Sequence, residues 1–396
     1  MSKNDNVVAF RGKETGRQPS PRLVPERLTE ARLAAGLTQT EIAAKVGVSR
    51  QAISAYEGGE KSPEPVVLAR IAAELAQPVI HFTKESRPSF GKHGTNFFRK
   101  TGADTKRRNQ ACSVYSEWFA NVAFAFDKIA NFPKVDLPAF EPASSSSSYT
   151  DEEIEEYAEV TRKYFGLGLG PITNMVRLVE TKGILVCRYV MKNQKVDAFS
   201  FWNGHRPFIF LSSDKNSSAR ARFDVAHEMA HLCLHRWIGQ EEIEDDKRLE
   251  RIENEADRFA GAFLLPRKSF PLEVYSPRAE SFIDLKARWK VSIQAMVYRC
   301  KDLFLFDDRQ VTNIYKQISY KKWRTKEPLD DGPKALQLEE PILLSKVADL
   351  VLQSGRYAVE EFVADVALAD NVVEQMIGMK LPDRRAENAD LNPTLK

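Results

Sequence analysis

The stretch Phe223-Asp-Val-Ala-His-Glu-Met-Ala-His-Leu-Cys-Leu234 decides most of what this chain can be. On an α-helix, positions i and i+4 share a face, offset by about 6 Å along the axis, so His227 and His231 can turn their imidazoles to one ion. Zinc takes histidine nitrogen at about 2.0–2.1 Å and needs a third protein ligand plus an open position for hydrolysis. Glu228, next to the first imidazole, can serve as general base toward a water and later hand the proton to a leaving amine. Two exposed histidines on a helix would show the same spacing with no chemistry. The apolar flanks argue against that, because they make the helix largely buried, a poor place for idle histidines.

The third ligand has to come from further along. A histidine six residues after His231, with glycine between, would mark the metzincin pattern; Trp237 and Leu234 hold those places, which excludes it. Glu253-Asn-Glu-Ala-Asp-Arg-Phe-Ala260 opens an apolar helix that runs into Leu264-Leu265-Pro266. Glu255 lies 24 residues after His231, room for a loop and a return helix. Its neighbours Ala256, Phe259 and Ala260 indicate packing on the first helix, so Glu255 is assigned as the third zinc ligand. Glu253 is the second choice, two residues away and pointing to another side. Asp257 reads as a local cap or salt bridge, with support of a ligand as the alternative. His235 stands about 12 Å from His227 along the axis, too far to share one small ion. It reads as a surface histidine, a contact to a ligand or substrate being the alternative. Cys233 reads as core, and His81, His93 and His205 have no identifiable partner.

Upstream, a second constellation runs from Leu28 to Glu57. Thr38 and Glu41 form a T-x-x-E capping box, so a helix starts at Gln39, with Ile42, Ala43 and Val46 on one face. Gly47 can take the left-handed conformation that ends it. Ser49 then caps a second helix whose inward face is Ala52, Ile53 and Tyr56. Two capped helices joined by a tight glycine turn have helix-turn-helix geometry. Arg50, Gln51 and Ser54 lie outward near the start of the second helix, where residues must sit to read bases in a major groove. Arg suits guanine and Gln adenine, each bidentate pair being worth roughly 1–3 kcal/mol of discrimination. Gln39 and the first helix's N-terminal amides suit phosphate. A helical bundle with polar residues facing water is the plain alternative, and spacing alone leaves the two level.

The bulk numbers set the frame. A chain of 396 residues with 43% hydrophobic and 29% charged content is ample for two or three buried cores. The longest apolar run, Val66 to Leu75, is broken by Arg70 and Glu74, so no stretch approaches the roughly 18 residues a bilayer span needs. The first residues lack the apolar core of a secretory signal. Cys112, Cys187, Cys233 and Cys300 stand singly, which suits a reducing compartment. A cytoplasmic chain without membrane attachment is expected. Lys and Arg outnumber Asp and Glu by 19 to 11 over residues 1–110, against 39 to 44 over the rest. A basic N-terminal third is what phosphate binding requires, although a solvated basic face would look the same.

The expected organisation is a disordered tail over 1–20, a helix-turn-helix domain over 21–88, and a helical connector with a Ser-rich linker (Ser144 to Ser148) over 89–150. A peptidase-like domain over 151–275 and a helical region over 276–396 complete it. Thr150 caps a helix to Phe165, a second helix ends before Gly183, and strands begin near Ile184, Val196 and Pro207. Asn203-Gly204 signals a hairpin with a loop longer than the tightest turn. Pro207 to Leu211 could bind substrate by strand addition. Near 282–304, Leu285 to Met296 with Ser292 as cap resembles a further helix-turn-helix; a plain helical hairpin is slightly preferred.

Two resemblances sharpen this. Leu37-Thr38-Gln39, Glu41-Ile42-Ala43, Gly47-Val48-Ser49, Ile53-Ser54 and Glu57-Gly58-Gly59 make the N-terminal block similar to the Xre/Cro-type repressor family. That implies binding of double-stranded DNA through Gln39, Ser49, Arg50, Gln51 and Ser54, usually as a homodimer, which the sequence itself does not show. From Ile154 to about Pro266 the chain resembles the ImmA/IrrE family of metallopeptidases. The likeness rests on Gly168-Leu-Gly-Pro-Ile172, Glu180, Gly183-Ile184, Asp197-Ala-Phe-Ser200, Pro207-Phe-Ile-Phe-Leu211, Ala226-His-Glu228, His231, and Glu255-Ala-Asp-Arg-Phe-Ala260 with Leu264-Leu265-Pro266. Asp224 and Asp257 stand where Thr and Asn are more usual.

This second resemblance implies a gluzincin-like site with Zn2+ on His227, His231 and Glu255, and catalytic Glu228. It also implies a substrate: a repressor or other regulatory protein cleaved during stress or induction. The expected fold is mainly α with a small β-sheet: an all-α helix-turn-helix domain, an α+β metallopeptidase domain and a helical C-terminal region. The leading function is a DNA-binding zinc endopeptidase that regulates transcription. The alternative is a transcription factor whose peptidase-like domain senses a ligand or partner without cutting; an antitoxin or phage-defence regulator comes third.

Overall fold

The structure, a computed structural model, describes residues 22–85, 90–91, 94–95, 105–140, 148–190, 197–213 and 217–383. The expected tail over 1–20, Phe97-Phe98-Arg99-Lys100, His93, the serines 144–147 and Val196 lie outside the described residues. The chain divides into two compact units, one of residues 22–32 with 38–85, the other of residues 33–37 with the described residues from 90 onward.

The first unit is helical: α1 (Pro25–Ala34) up to Arg32, α2 (Gln39–Val46), α3 (Arg50–Glu57), α4 (Pro65–Glu74) and α5 (Val79–Thr83). Its local logic follows the sequence closely. Thr38 accepts from the Glu41 N–H while the Glu41 carboxylate takes the Thr38 N–H, the reciprocal cap expected. Gly47 adopts φ +72 and ends α2. Ser49 accepts from the Ala52 N–H and starts α3. Leu28, Ile42, Ile53, Ile71 and Phe82 are fully buried. A bidentate pair from Arg32 to Glu57 (2.6 and 3.0 Å) ties α1 to the end of α3.

The second unit is built around a three-stranded sheet in the order β1 (Leu185–Tyr189), β3 (Arg206–Ser212), β2 (Ala198–Asn203). β1 runs parallel to β3 and β2 antiparallel to it. Because Asn203 pairs with Arg206, the hairpin loop is the two residues Gly204-His205, tighter than expected. Gly204 sits at φ +57, and a Cβ there would run into the Phe90 carbonyl, so both the turn and its neighbour demand glycine. β3 is buried along its whole length. Strand side chains alternate between faces, and the sheet uses both. Val186, Ile209 and Leu211 face one core, while Leu185, Cys187, Tyr189, Phe199, Phe201, Phe208 and Phe210 face another.

The first core is covered by α9 (Ser218–Leu234), with α7 (Asp151–Tyr164), α8 (Met175–Thr181) and α11 (Asp246–Leu264) around it; the short α10 (Gln240–Glu244) precedes α11. α7 begins in a capping box between Thr150 and Glu153. α11 starts at Asp245, which accepts from the Arg248 N–H, and carries Leu249, Ile252, Ala256, Phe259, Ala260 and Phe263 as a buried stripe of helical period.

The second core is closed by α6 (Thr105–Asp127) together with α15 (Leu343–Gln353), α16 (Val359–Val366) and α17 (Asp370–Ile377). Phe119 of α6 meets Phe208 edge-on at 5.2 Å, and Phe126 meets Phe362 of α16 at 4.6 Å. The helical connector and the C-terminal helices therefore share a core with the sheet instead of forming regions of their own. α12 (Phe282–Trp289), α13 (Ile293–Asp302) and α14 (Asp308–Tyr320) extend the first core. Among the described residues, no helix is long and apolar enough to cross a membrane. The chain is mainly helical with a small sheet, as its sequence predicts.

Candidate functional site

Ser217 accepts from the Arg220 N–H to start α9, and every residue from Val225 to Leu234 is buried. The i, i+4 spacing brings His227 Nε2 to 3.0 Å from His231 Nε2. Across from them stands α11, and the carboxylate it delivers is Glu253: Oε2 lies 3.5 Å from His227 Nε2 and Oε1 3.5 Å from His231 Nε2. The two imidazole nitrogens thus face one carboxylate, each meeting a different oxygen of it, and one ligand atom from each of the three residues lies within 4.8 Å of the others. Ligands at about 2.0–2.1 Å from a tetrahedral ion stand roughly 3.3 Å apart, so these spacings suit a single zinc-like cation.

Glu255, the ligand expected from sequence, is not part of this cluster. Its Oε2 takes His235 Nε2 at 2.9 Å, and its Oε1 takes the Tyr149 N–H at 3.2 Å. Glu253 and Glu255 flank the apolar stripe of α11 on opposite edges, roughly 160° apart around the helix, and the position of α9 selects the Glu253 edge. A usable signal was present in the spacing. Glu253 and Asp257 are four apart and share a face, and Asp257 Oδ1 lies 2.7 Å from His227 Nδ1. One helix edge thus faces the two imidazoles with one carboxylate and holds the far nitrogen of the first with another. Asp257 is the salt-bridge partner of His227, one of the two roles its place in the sequence suggested.

His235 also departs from expectation. It is 1% exposed, and its Nδ1 lies 2.9 Å from His231 Nδ1. Cys233 is core, as expected. His81 is buried in the first unit, and His205 stacks edge-on to Phe90 at 5.7 Å.

The electrostatics fit a cation. Burial pulls the His227 imidazole down, yet hydrogen bonds to Asp257 and Glu253 outweigh it and push its pKa up to about 10. Burial takes His231 down to about 3. For Glu253, burial acts upward, but the two facing imidazoles hold its carboxyl well below the usual range. Burial, only partly offset by His227, pushes Glu228 up to about 8. Its Oε2 is buried without a hydrogen-bond partner. An orphaned buried carboxylate oxygen is costly, and its position beside the cluster is where a water or substrate group would satisfy it. The donor set, two imidazoles and a carboxylate, is one zinc accepts.

β2 lies against α9, Ser200 Oγ donating to the Glu228 carbonyl at 3.2 Å and Trp202 Nε1 to the Leu232 carbonyl at 3.3 Å. β3, which the sequence offered for strand addition, is the central strand and is paired on both sides; its backbone is not available. β2 is the sheet edge beside the HExxH helix.

In the first unit, Ser49, Arg50, Gln51 and Ser54 are exposed at the start of α3. Gln39 is half-buried, and its Nε2 donates to Glu57 Oε2 at 2.8 Å, so it braces the Arg32–Glu57 pair from the start of α2. The hairpin α12–α13, the second helix-turn-helix candidate, has its second helix in the core. Ile293, Met296, Val297 and Cys300 are fully buried, and Glu327 accepts from the Ile293 N–H (2.8 Å) and the Gln294 N–H (3.2 Å). That end of α13 is occupied by protein.

A helix bearing HExxH, a return helix with a facing carboxylate and a small sheet beside them define a metallopeptidase-like fold. Comparison with known families agrees: residues 179–301 match the peptidase M78 family, described as IrrE N-terminal-like domain, and residues 28–79 match the Helix-turn-helix family. The chain therefore carries a DNA-binding domain of the Xre/Cro type followed by an IrrE/ImmA-like domain. No curated protein matches it.

Proposed function

We propose that this chain is a zinc-dependent endopeptidase that regulates transcription while bound to DNA, acting on a repressor or other regulatory protein. Its two domain matches fit a DNA-binding regulator. The observation that carries the catalytic half is the cluster of His227, His231 and Glu253 with the unpartnered Glu228 oxygen beside it. His227, His231 and Glu253 would hold the ion, which when bound supplies a Lewis acid for amide hydrolysis. Glu228 Oε2 accepts a proton from the attacking water and returns it to the nitrogen of the leaving amine. Burial of Glu228 assists both halves, because a carboxylate with a raised pKa takes and releases protons near neutrality. β2, the outer strand beside α9, would orient an extended substrate by backbone pairing where its edge is not already taken by Gly94, whose N–H donates to the Trp202 carbonyl at 2.7 Å. In the first unit, Arg50, Gln51 and Ser54 read bases and Ser49 contacts phosphate.

The test is zinc content and cleavage in the full chain. Wild type holds about one zinc per chain and cuts a co-purifying regulator. Glu228→Gln retains the metal and loses at least roughly 100-fold in cleavage rate, the scale of general-base loss. Glu253→Ala loses the metal as well. Zinc-loaded Glu228→Gln that cuts as fast as wild type would refute the peptidase reading. What would then remain is a DNA-bound sensor built on a peptidase fold.

A further inference from the structure

Resting on the metal-site reading above, we propose that His235 and Glu255 are positioning residues that hold His231 in the one tautomer able to bind the ion. A neutral imidazole has one N–H and one lone pair, and which nitrogen carries the proton is set by its partners. Glu255 accepts from Tyr149 N on one oxygen and faces His235 Nε2 at 2.9 Å with the other. A carboxylate with both oxygens accepting requires His235 Nε2 to carry its proton. His235 Nδ1 is then a lone pair. It stands 2.9 Å from His231 Nδ1, so His231 Nδ1 must be the donor of that bond. The only lone pair left on His231 is at Nε2, the atom facing His227 and Glu253.

The two ligand imidazoles are thus oriented by different devices. His227 leans directly on a carboxylate, Asp257 at 2.7 Å. His231 reaches its carboxylate through a second imidazole. The relay is possible because His235 is the residue that ends α9, at φ −111 and ψ 15, while α11 passes Glu255 behind it. Tyr149 holds the far end: its hydroxyl donates to the Leu234 carbonyl at 3.1 Å. Loss of groups that orient metal-bound histidines typically costs roughly 10–100-fold in metal affinity.

The test uses the full chain, zinc as the probe, and two variants. His235→Phe keeps a buried ring and removes both bonds; Glu255→Gln keeps an oxygen acceptor and removes the charge. Chelator competition is expected to show zinc affinity lowered roughly 10–100-fold in His235→Phe and by less in Glu255→Gln. Nitrogen-15 spectra of histidine-labelled, metal-free wild type are expected to show His231 protonated on Nδ1, and that preference lost in His235→Phe. Unchanged zinc affinity in both variants, with only a lower melting temperature, overturns the proposal, because it leaves the pair a purely structural role. So does a wild-type His231 protonated on Nε2. Wild type that takes up no zinc at all fails the metal-site reading instead; the tautomer of the metal-free protein then decides the relay, for or against.

Discussion

The hairpins α2–α3 and α12–α13 are nearly the same object locally. Each has an eight-residue first helix ended by a left-handed residue, Gly47 at φ +72 or Lys290 at φ +56, and each second helix begins at a serine cap, Ser49 on Ala52 or Ser292 on Ala295. What separates them is where the second helix points. α3 buries Ile53 and exposes Arg50, Gln51 and Ser54. α13 buries five of its ten residues, Ile293, Met296, Val297, Arg299 and Cys300, and its first N–H groups end on Glu327. Capping chemistry builds a hairpin; only the burial of its second helix decides whether that helix can enter a groove.

The strongest way to break the contrast is to attack the ionic lock behind α13. Lys286 is fully buried between Glu327 (2.9 Å) and Asp330 (2.7 Å). Lys286→Ala leaves two carboxylates without their counter-charge in the interior, a change that costs about 3–5 kcal/mol. Hydrogen exchange should show α12 and α13 deprotected by that amount while α2 and α3 keep wild-type protection. Deprotection of both hairpins alike would mean they do not belong to separately stabilised structures.

A smaller and opposite effect is expected at the exposed helix. Arg50→Ala and Gln51→Ala each remove about 1–3 kcal/mol of discrimination between cognate and altered operator sites, with melting unchanged because both side chains lie in solvent. Gln294→Ala, at the corresponding place on α13, leaves DNA affinity alone: its amide already donates to Glu327 at 3.1 Å. Operator selection that yields the same sequence with wild type and Arg50→Ala would take the reading role from α3.

The same division between local and spatial information explains what the sequence disclosed. Caps, the αL glycine, the strands and the HExxH pair depend on residues within a few positions, and all of them were legible. The roles of Glu253 and Glu255 were not. Both border the apolar stripe of α11, and which border meets α9 is a property of helix packing. His235 read as a surface residue for the same reason: α9 alone says nothing of the Tyr149 and Glu255 that enclose it. The back of the sheet was hidden more deeply, since α6 and α15–α17 reach it from more than 200 residues apart in sequence.

The finest comparison is between the two capping serines. Removing a serine cap costs about 0.5–2 kcal/mol, and where in that range it falls depends on what else can satisfy the freed N–H. At Ser49 the start of α3 is exposed, so water replaces the hydroxyl and Ser49→Ala should sit near the lower end. Ser292 is buried, and Glu327 at the same helix end already accepts from Ile293 and Gln294. Ser292→Ala should therefore fall near the upper end, because a sheltered donor left unpaired carries its full desolvation cost. Exchange rates at Ala52 and Ala295 read the two losses separately, and equal losses would show that the two helix starts are equally wet.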